Sequence, residues 1–247
     1  MNYHWNWHIF RELSPDGVNT YFDTLIAGTA WTLATALSAW VIALVLGLAV
    51  GIARTLNNRA VAALGNAYVE LFRNIPLLVQ MFLWYFVMPE VLPATAGAWL
   101  KALPDAAFYT AVIALAFFTS ARVAVQVSAG IEALPRGLTL AATALGLKRR
   151  QTYRFILLPI ALRLILPPLS SEFLNIIKNS SVALTIGLVE LTASARAIQE
   201  FSFQVFEAFT AATIIYLGIN IFVAYMMQLL EKRVAVPGSI GASTKGA

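Results

Sequence analysis

Residues 134–163 read LPRGLTLAATALGLKRRQTYRFILLPIALR, a basic stretch between two long apolar segments. Four apolar side chains in it recur at the spacing of one helical face: Leu138, Ala141, Ala142 and Leu145. This spacing predicts a short helix, and Gly146 followed by Leu147 is typical of its left-handed C-terminal cap. Lys148 to Arg150 open a second short helix, which we expect Pro159 to separate from the next apolar segment. The pattern predicts a compact knob of two helices, residues 136–159, which we interpret as a docking site and call the docking knob.

The composition of the chain is that of an integral membrane protein. Of its 247 residues, 60% are hydrophobic and only 12% are charged, whereas a soluble surface needs roughly a quarter charged residues. The chain has no cysteine and only His4 and His8 as imidazoles, so we predict neither disulfides nor a metal site. We attribute the net charge of +5 to membrane topology, and we expect no nucleic-acid partner.

Five segments are long enough to cross a membrane as helices. Residues 24–53 and 208–230 carry no charge, and about 20 apolar residues suffice to span the hydrocarbon layer. Three further segments are as long but contain charged residues: 60–88, 106–131 and 155–189. We therefore predict an all-α helical bundle of about five transmembrane helices.

Basic residues lie mostly on one side of these five segments. Ten flank the ends that include the docking knob: Arg54, Arg59, Arg136, Lys148, Arg149, Arg150, Arg154, Lys232, Arg233 and Lys245. The opposite loops hold Arg11, Lys101 and Arg196. The excess of positive charge predicts that the knob and the C-terminus are cytoplasmic and that the N-terminus is outside. We expect an outer N-terminal segment (1–22), a membrane domain (23–233) and a disordered, Gly/Ser-rich cytoplasmic tail (234–247).

The docking knob resembles the EAA loop of bacterial ABC importer permeases. The family pattern is Glu-Ala-Ala, a glycine a few residues later, and a downstream Leu-Pro; here these positions read Leu140-Ala141-Ala142, Gly146 and Leu158-Pro159. Leu140 replaces the acidic residue, so an ion pair or cap from that side chain cannot form. Residues 69–80, 117–137 and 166–191 are similar to the polar-amino-acid subfamily, which includes histidine, glutamate, glutamine and arginine permeases. Thr119–Arg122 and Lys178–Ser181 resemble permeases of glutamate/aspartate importers most.

The resemblance implies a type I ABC importer permease fold in a bacterial inner membrane, with cytoplasmic coupling helices. It implies a homodimer or a heterodimer with a sister permease, a cytoplasmic ABC ATPase dimer that binds ATP and Mg²⁺, and a periplasmic binding protein that delivers glutamate or aspartate. ATP binding would turn the permease pair from inward-facing to outward-facing. The residues expected to dock on the ATPase are Leu140, Ala141, Ala142, Gly146, Lys148, Arg149 and Arg150.

Polar and charged residues within the apolar segments are the candidates for the substrate pathway, because an ionisable group in the bilayer is costly unless it faces protein, water or a ligand. These candidates are Arg73, Asn74, Arg122, Lys178, Asn179, Ser180 and Ser181. A cation beside hydrogen-bonding groups suits the carboxylates of an amino acid. Internal pairing is the alternative: Glu70 with Arg73, and Glu172 with Arg163 or Lys178.

Other polar or small residues within the spans are interpreted as packing features. Pro76 frees the carbonyl of Phe72, which opens the backbone to a ligand or merely bends the helix. Gln80 and Gln126 are expected to form hydrogen bonds between helices, and Gly47 with Gly51 predicts a close helix contact. We predict no site in the last span.

No catalytic arrangement is recognisable in the sequence. It contains no phosphate-binding G-x-x-x-x-G-K-[ST] loop, and two N-terminal histidines cannot supply a catalytic triad within the membrane. We therefore expect no enzymatic activity, and no cofactor bound by this chain itself. The alternatives left open are an ion-coupled secondary transporter or channel without an ATPase, and a subunit that only scaffolds assembly. Lys148 to Arg150 are also expected to contact membrane lipid through anionic head groups, as an added role.

Overall fold

The computed structural model describes residues 3–234, and these residues form eleven α-helices. The helices are α1 (Tyr21–Arg54), α2 (Arg59–Asn74), α3 (Leu77–Phe82), α4 (Met88–Val91), α5 (Ala94–Ala102), α6 (Ala106–Glu132), α7 (Arg136–Ala144), α8 (Arg149–Thr152), α9 (Leu158–Asn179), α10 (Leu191–Ser202) and α11 (Val205–Val234). Two 3₁₀ turns (Trp7–Arg11, Ser180–Ile186) and two π-helical turns (Leu83–Val87, Tyr153–Leu157) join them. The prediction of a disordered tail concerns residues that lie almost wholly outside the described range.

Four helical segments are long and apolar enough to cross a membrane, and a bent helix pair brings the number to as many as five. The four are Tyr21–Arg54, Ala106–Glu132, Arg149–Ile186 and Val205–Val234; the pair is Arg59–Asn74 with Leu77–Val91. The predicted segment 60–88 corresponds to this pair, in which the chain turns by 100° between α2 and α3.

The break between α2 and α3 follows from Pro76 and is stabilised by Gln80. Ile75 is extended, as expected for a residue before proline. The Gln80 side-chain amide donates to the carbonyl oxygens of Phe72 and Ile75, at 2.8 and 2.9 Å. The freed Phe72 carbonyl thus accepts a hydrogen bond from the protein itself, and Gln80 of α3 forms the predicted hydrogen bond between helices, here to α2.

Helix α6 is the centre of the bundle and packs most closely on α1. A Cβ added at Gly47 would lie 2.5 Å from Val123, and one at Gly51 would lie 2.6 Å from Val127. The two glycines therefore allow the backbones of α1 and α6 to approach, which confirms the predicted close contact. Gln126 of α6 donates to Glu172 of α9 at 3.4 Å, which confirms its predicted role between helices.

Pro159 does not separate the docking knob from the next span. The chain is continuously helical from Arg149 to Ile186. A proline within a helix removes one N–H and crowds the carbonyl four residues earlier, here that of Phe155. The π-helical turn Tyr153–Leu157 precedes Pro159 and accommodates both effects by widening the helix. We call this continuous helical segment, residues 149–186, the rod.

The end of the bundle opposite the docking knob is closed by the N-terminal segment. Glu207, in the first turn of α11, is fully buried and accepts hydrogen bonds from the Tyr3 hydroxyl and the Asn6 backbone N–H. Ile9 is buried beside Leu25 of α1 and Ile198 of α10. The N-terminal segment is therefore packed across α1, α10 and α11.

Candidate functional site

The docking knob ends its first helix with a Schellman cap. Gly146 has φ +74°, and its N–H donates to the carbonyl of Thr143 at 2.9 Å. The Leu147 N–H donates to the carbonyl of Ala142 at 3.0 Å. These are the two hydrogen bonds of the motif. They confirm the left-handed cap at Gly146, which reverses the chain between α7 and α8.

The outward face of the docking knob combines exposed apolar and basic side chains. Leu140 is 70% exposed and Leu145 is 78% exposed. The other predicted docking residues on this surface are Ala141, Gly146, Lys148, Arg149 and Arg150. Ala142 is 1% exposed and lies inside the knob. The structure therefore exposes six of the seven predicted docking residues and buries Ala142.

The docking knob is tied to the C-terminal end of α1. The Tyr153 hydroxyl donates to the carbonyl of Thr55 at 3.0 Å, directly after α1 ends. Arg54, the last residue of α1, donates to Asn66 of α2 and to Ser128 of α6, at 2.8 and 2.9 Å. These contacts join α1, α2, α6 and the start of the rod at one end of the bundle.

The two irregular segments of the bundle meet beside α6. Leu77 and Met81 follow the α2–α3 break, Ala183 and Ile186 belong to the 3₁₀ turn after α9, and all four share one buried cluster with Leu115 of α6. Irregular backbone at membrane depth is found where it is enclosed by protein or lines a water-filled cavity. The meeting point of the two segments is therefore the best candidate for the substrate pathway.

Three predicted pathway cations are exposed and free of internal ion pairs within residues 3–234. Arg73 ends α2 beside the exposed Asn74, Arg122 lies in α6, and Lys178 lies in the last turn of α9. The ion pairs of the described residues are Lys101–Glu90 and Arg196–Glu200. Within residues 3–234 of one chain, neither the pair of Arg73 with Glu70 nor a pair of Glu172 with Arg163 or Lys178 is formed.

The hydrogen-bonding residues after Lys178 differ in their accessibility. Ser180 is fully buried and donates to the carbonyl of Ile177 at 2.7 Å. Ser181 is half-buried and donates to the carbonyl of Lys178 at 2.7 Å. Both hydroxyls close the end of α9, whereas Lys178 and the half-buried Asn179 leave polar atoms for a ligand.

Arg122 is the cation of a polar group between α6 and α9. Its guanidinium lies 4.7 Å from the centre of the Phe118 ring. One turn further, Gln126 donates to Glu172. The exposed side of these two helices therefore carries charge and hydrogen-bonding capacity in the midst of apolar surface. We call Arg122, Gln126 and Glu172 the polar stripe.

A second buried carboxylate was not predicted from the sequence. Glu190 is fully buried and accepts from the N–H groups of Thr192 and Ala193, at 3.0 and 2.8 Å, at the start of α10. It also accepts from the Tyr216 hydroxyl of α11 at 2.8 Å. Burial raises the pKa of the Glu190 carboxyl, and its hydrogen bonds oppose that rise. The available signal was a helix start at Leu191, but glutamate is not among the favoured capping residues.

Residues 3–234 contain no cluster of His, Asp and Glu that is suited to a metal ion.

Comparison with known proteins finds membrane transport permeases among the relatives of this chain. Residues 43–236 match the family described as "Binding-protein-dependent transport system inner membrane component". The chain is 46% identical to the glutamate/aspartate import permease protein GltJ of Escherichia coli (strain K12), over 98% of this chain and 99% of that protein. It is 33% identical to the probable glutamine ABC transporter permease protein GlnM of Bacillus subtilis (strain 168), over 88% and 94%.

Solved structures share the fold. The crystal structure of an amino acid ABC transporter with histidines superposes with a TM-score of 0.73 at 30% identity, over 86% of this chain and 95% of that chain. An inward-facing form of the MetNI methionine ABC transporter superposes equally well, with a TM-score of 0.73, at 18% identity. The second comparison shows the fold alone.

These findings confirm the prediction of an ABC importer permease. They contradict the alternative of an ion-coupled transporter or channel without an ATPase. The predicted all-α type I permease fold is also confirmed. The chain belongs to the family of inner membrane components of binding-protein-dependent transport systems, and it is a permease subunit of an ABC importer.

Proposed function

We propose that this permease subunit carries acidic amino acids, glutamate and aspartate, across the membrane. The observation that carries the proposal is the set of exposed cations without ion pairs within residues 3–234, Arg73, Arg122 and Lys178, around two irregular segments. An acidic amino acid has two carboxylates, and charge-assisted hydrogen bonds from cations are the strongest that they form. The 46% identity to a glutamate/aspartate permease supports the same substrate class.

Within the proposed pathway, Arg122 and Lys178 bind the substrate carboxylates. Arg73, Asn74 and Asn179 line the approach from the α2–α3 break and from the end of α9. Ser180 and Ser181 hold the 3₁₀ turn that presents Lys178. This chain itself binds no metal and no cofactor.

The partners follow from the docking knob and from the family. A second permease, either another copy or a sister subunit, covers the polar stripe and completes the pathway. A cytoplasmic ATPase dimer, which binds ATP and Mg²⁺, receives the exposed face of the knob. A periplasmic binding protein delivers the substrate to the opposite end. ATP binding draws the two knobs together and opens the pathway outward, and hydrolysis returns it to the inward-facing state.

The orientation in the bacterial inner membrane follows from the basic residues. The knob and the C-terminus face the cytoplasm, and residues 1–22 face the periplasm. The membrane domain comprises residues 23–233.

The proposal is tested by uptake into proteoliposomes that contain the permease, its ATPase and its binding protein. Glutamate and glutamine have nearly the same size and differ in side-chain charge, so they separate an acidic from a polar preference. We expect binding-protein-dependent uptake of glutamate and aspartate, with stimulated ATP hydrolysis, and little uptake of glutamine. Preferred uptake of glutamine would refute the acidic assignment.

Neutral replacements locate the pathway. We expect Lys178→Gln and Arg122→Gln each to lower glutamate uptake by roughly tenfold or more, because a hydrogen bond to a charged group contributes about 1.5–3 kcal/mol. Lys101→Gln is the matched control, because Lys101 is an exposed cation paired with Glu90 outside the proposed pathway. Equal uptake by all three variants would exclude Arg122 and Lys178 as carboxylate ligands.

A further inference from the structure

One exposed side of α9 carries polar groups over most of its length. Arg163, Pro167, Ser171 and Lys178 are all exposed, and their spacing of four, four and seven residues places them on one side of a helix. At 1.5 Å per residue, Arg163 lies about 22 Å from Lys178 along the helix axis. We call this side of α9, defined by these four residues, the open face. It carries a cation near each end and a hydroxyl between them.

The open face points away from the centre of the bundle. Ala161, Ile165 and Leu169 lie on the other side of α9 and are buried in one cluster with Val127 and Ile131 of α6. The contacts of α9 with the rest of this part of the chain are therefore made by its apolar side, and Arg163 is left outside them.

An exposed face of α1 shows what hydrocarbon accepts. Leu37, Val41 and Val45 are exposed at the same four-residue spacing, and all three are apolar. A cation at membrane depth is costly unless it meets water, protein or a ligand. Arg163 forms no ion pair within residues 3–234. The open face is therefore suited to an aqueous pathway and not to acyl chains.

Two prolines free backbone acceptors next to the Arg163 side chain. Pro167 and Pro168 lie inside α9 and have no N–H, so the carbonyls four residues earlier, those of Arg163 and Leu164, lack their helical donors. The hydroxyls of the two nearby serines donate to other carbonyls. Backbone groups freed at membrane depth are tolerated where neighbours satisfy them or where they line a water-filled cavity. This turn of α9 thus combines a guanidinium with free backbone acceptors.

We propose that Arg163 and Leu164 form a second amino-acid site on the pathway, nearer to the docking knob than Lys178, which we call the release site. The Arg163 guanidinium binds the α-carboxylate of the substrate, and the carbonyl oxygens of Arg163 and Leu164 accept hydrogen bonds from its α-ammonium group. This inference rests on the proposed function, in which Lys178 binds the substrate first. The substrate then passes along the open face, past the Ser171 hydroxyl, to the release site.

The release site recognises what all α-amino acids share. An α-carboxylate and an α-ammonium group are present whatever the side chain, so selection by side-chain charge is left to Arg122 and Lys178. The competing assignment for Arg163 is contact with the phosphate of a lipid head group. Arg154, an exposed cation of the rod nine residues nearer to the docking knob, is the matched control for that assignment.

Thiol labelling tests the release site directly, because the chain contains no cysteine. Leu164→Cys places a thiol beside Arg163 at a position that is 51% exposed, and Val41→Cys is the control on the apolar face of α1, at a position that is 61% exposed. The full complex with its ATPase and binding protein is held in lipid nanodiscs without nucleotide, so that both ends are open to the reagent. A charged, membrane-impermeant thiol reagent is added with and without excess glutamate, and the mass of the permease chain reports the labelling.

We expect Leu164→Cys to react at least roughly tenfold faster than Val41→Cys, because the reactive thiolate forms in water and not in an apolar environment. Glutamate should slow the labelling of Leu164→Cys. Arg163→Gln should abolish this protection, and Lys178→Gln should leave it in place. Equally slow labelling at both positions would overturn the open face as an aqueous pathway. Rapid labelling that glutamate does not slow, although the complex imports glutamate, would overturn the release site.

Uptake into proteoliposomes separates a substrate contact from a lipid contact. We expect Arg163→Gln to lower uptake per assembled complex by roughly tenfold or more, because a hydrogen bond to a charged group is lost. Arg163→Lys should retain more uptake than Arg163→Gln, and Arg154→Gln should remain close to the unsubstituted chain. Equal losses in Arg163→Gln and Arg154→Gln would assign Arg163 to lipid head groups and overturn the release site.

Failure of the release site and failure of the acidic substrate assignment give different results. If the complex imports glutamine instead of glutamate, the acidic assignment is wrong, and glutamine then takes the place of glutamate as the protecting ligand at Leu164→Cys. If glutamate is imported and Arg163→Gln leaves both uptake and protection unchanged, the release site is wrong and the proposed function stands.

Discussion

The two ends of this permease are built on different principles. At the end that we propose to be cytoplasmic, here called the inner end, the docking knob is exposed, and its shape is set by backbone hydrogen bonds between residues five or fewer apart around Gly146. At the outer end, the junction at Glu190 is buried and joins residues from α1, α10 and α11, with Thr32 158 positions away in the chain. The shape of the docking knob is set by local conformation. The structure of the opposite end is set by packing between residues far apart in the chain.

The difference suits a knob that is proposed to receive a partner and an opposite end that holds three helices together. A surface that receives a partner must be exposed and must have a fixed shape before binding, which a helix cap provides at little cost in buried area. A point of anchorage must resist force, which a fully buried hydrogen-bond network provides. We therefore expect substitutions at the inner end to impair transport without lowering stability, and substitutions at the outer end to lower stability first.

Gly146→Ala is expected to have the largest effect on transport. A side chain in the left-handed conformation costs about 1–2 kcal/mol, so the cap is lost or distorted. We expect uptake to fall by roughly fivefold to thirtyfold, with an unchanged thermal midpoint of the solubilised chain. Gly137→Ala is the control, because Gly137 is also in the knob and also has open space, but lies inside α7. Equal effects of the two substitutions would contradict the importance of the cap.

Gly28→Ala is expected to have the opposite signature. Its Cβ would lie 2.3 Å from the Ser194 Oγ and 3.0 Å from the Leu191 Cα, so α1 and α10 must separate. Overpacking of this kind costs about 1–3 kcal/mol. The measurement is the thermal midpoint in detergent, with Gly218→Ala as control, since nothing lies within 4 Å of that position. A midpoint as high as that of the control would show that the packing of α1 on α10 adapts to the extra methyl group at little cost.

Thr32→Val should cost less than Gly28→Ala and should sharpen the comparison. The substitution leaves the buried Leu191 N–H without its acceptor, and an unsatisfied buried donor costs about 1–3 kcal/mol. Thr35→Val is the control one turn away: Thr35 is equally buried, and its hydroxyl has no hydrogen-bond partner among residues 3–234. We expect a lower thermal midpoint for Thr32→Val and an equal or higher one for Thr35→Val. The reverse order would show that the hydrogen bond from the Leu191 N–H to Thr32 does not stabilise this end of the molecule.

The same contrast explains what the sequence predicts and what it does not. The knob follows a local pattern, so its helices and its cap at Gly146 were predictable from neighbouring residues. The close contact at Gly47 was predictable because it depends on spacing within one helix. The contacts of Glu190 were not predictable. Tyr216 lies in a span without charge, and no local pattern relates Tyr216 to Thr32.

Prolines gave only partial information. Pro76 predicted an interruption but not a turn of 100°, since that angle depends on the hydrogen bonds from Gln80. Pro159 predicted an end of the helix. The helix continues past it because the π-helical turn at Tyr153–Leu157 accommodates the proline. In the candidate pathway, the charges of Arg122 and Lys178 were evident, whereas the burial of Ser180 depends on packing against other helices.

Leu140→Glu should have the smallest effect on stability, although it restores the acidic residue of the family pattern. Leu140 is 70% exposed, so the new carboxylate stays in water, and exposed substitutions usually change stability by less than about 0.5 kcal/mol. Ala142→Glu, two residues away on the same helix, places a charge at a position that is 1% exposed. The measurement is hydrogen exchange of the amides of Leu145 to Leu147, which report on the cap. We expect Leu140→Glu to keep their protection and Ala142→Glu to abolish it. Loss of protection in both variants would mean that the exposed face also holds the knob together, and the inner end would then not be a purely local structure.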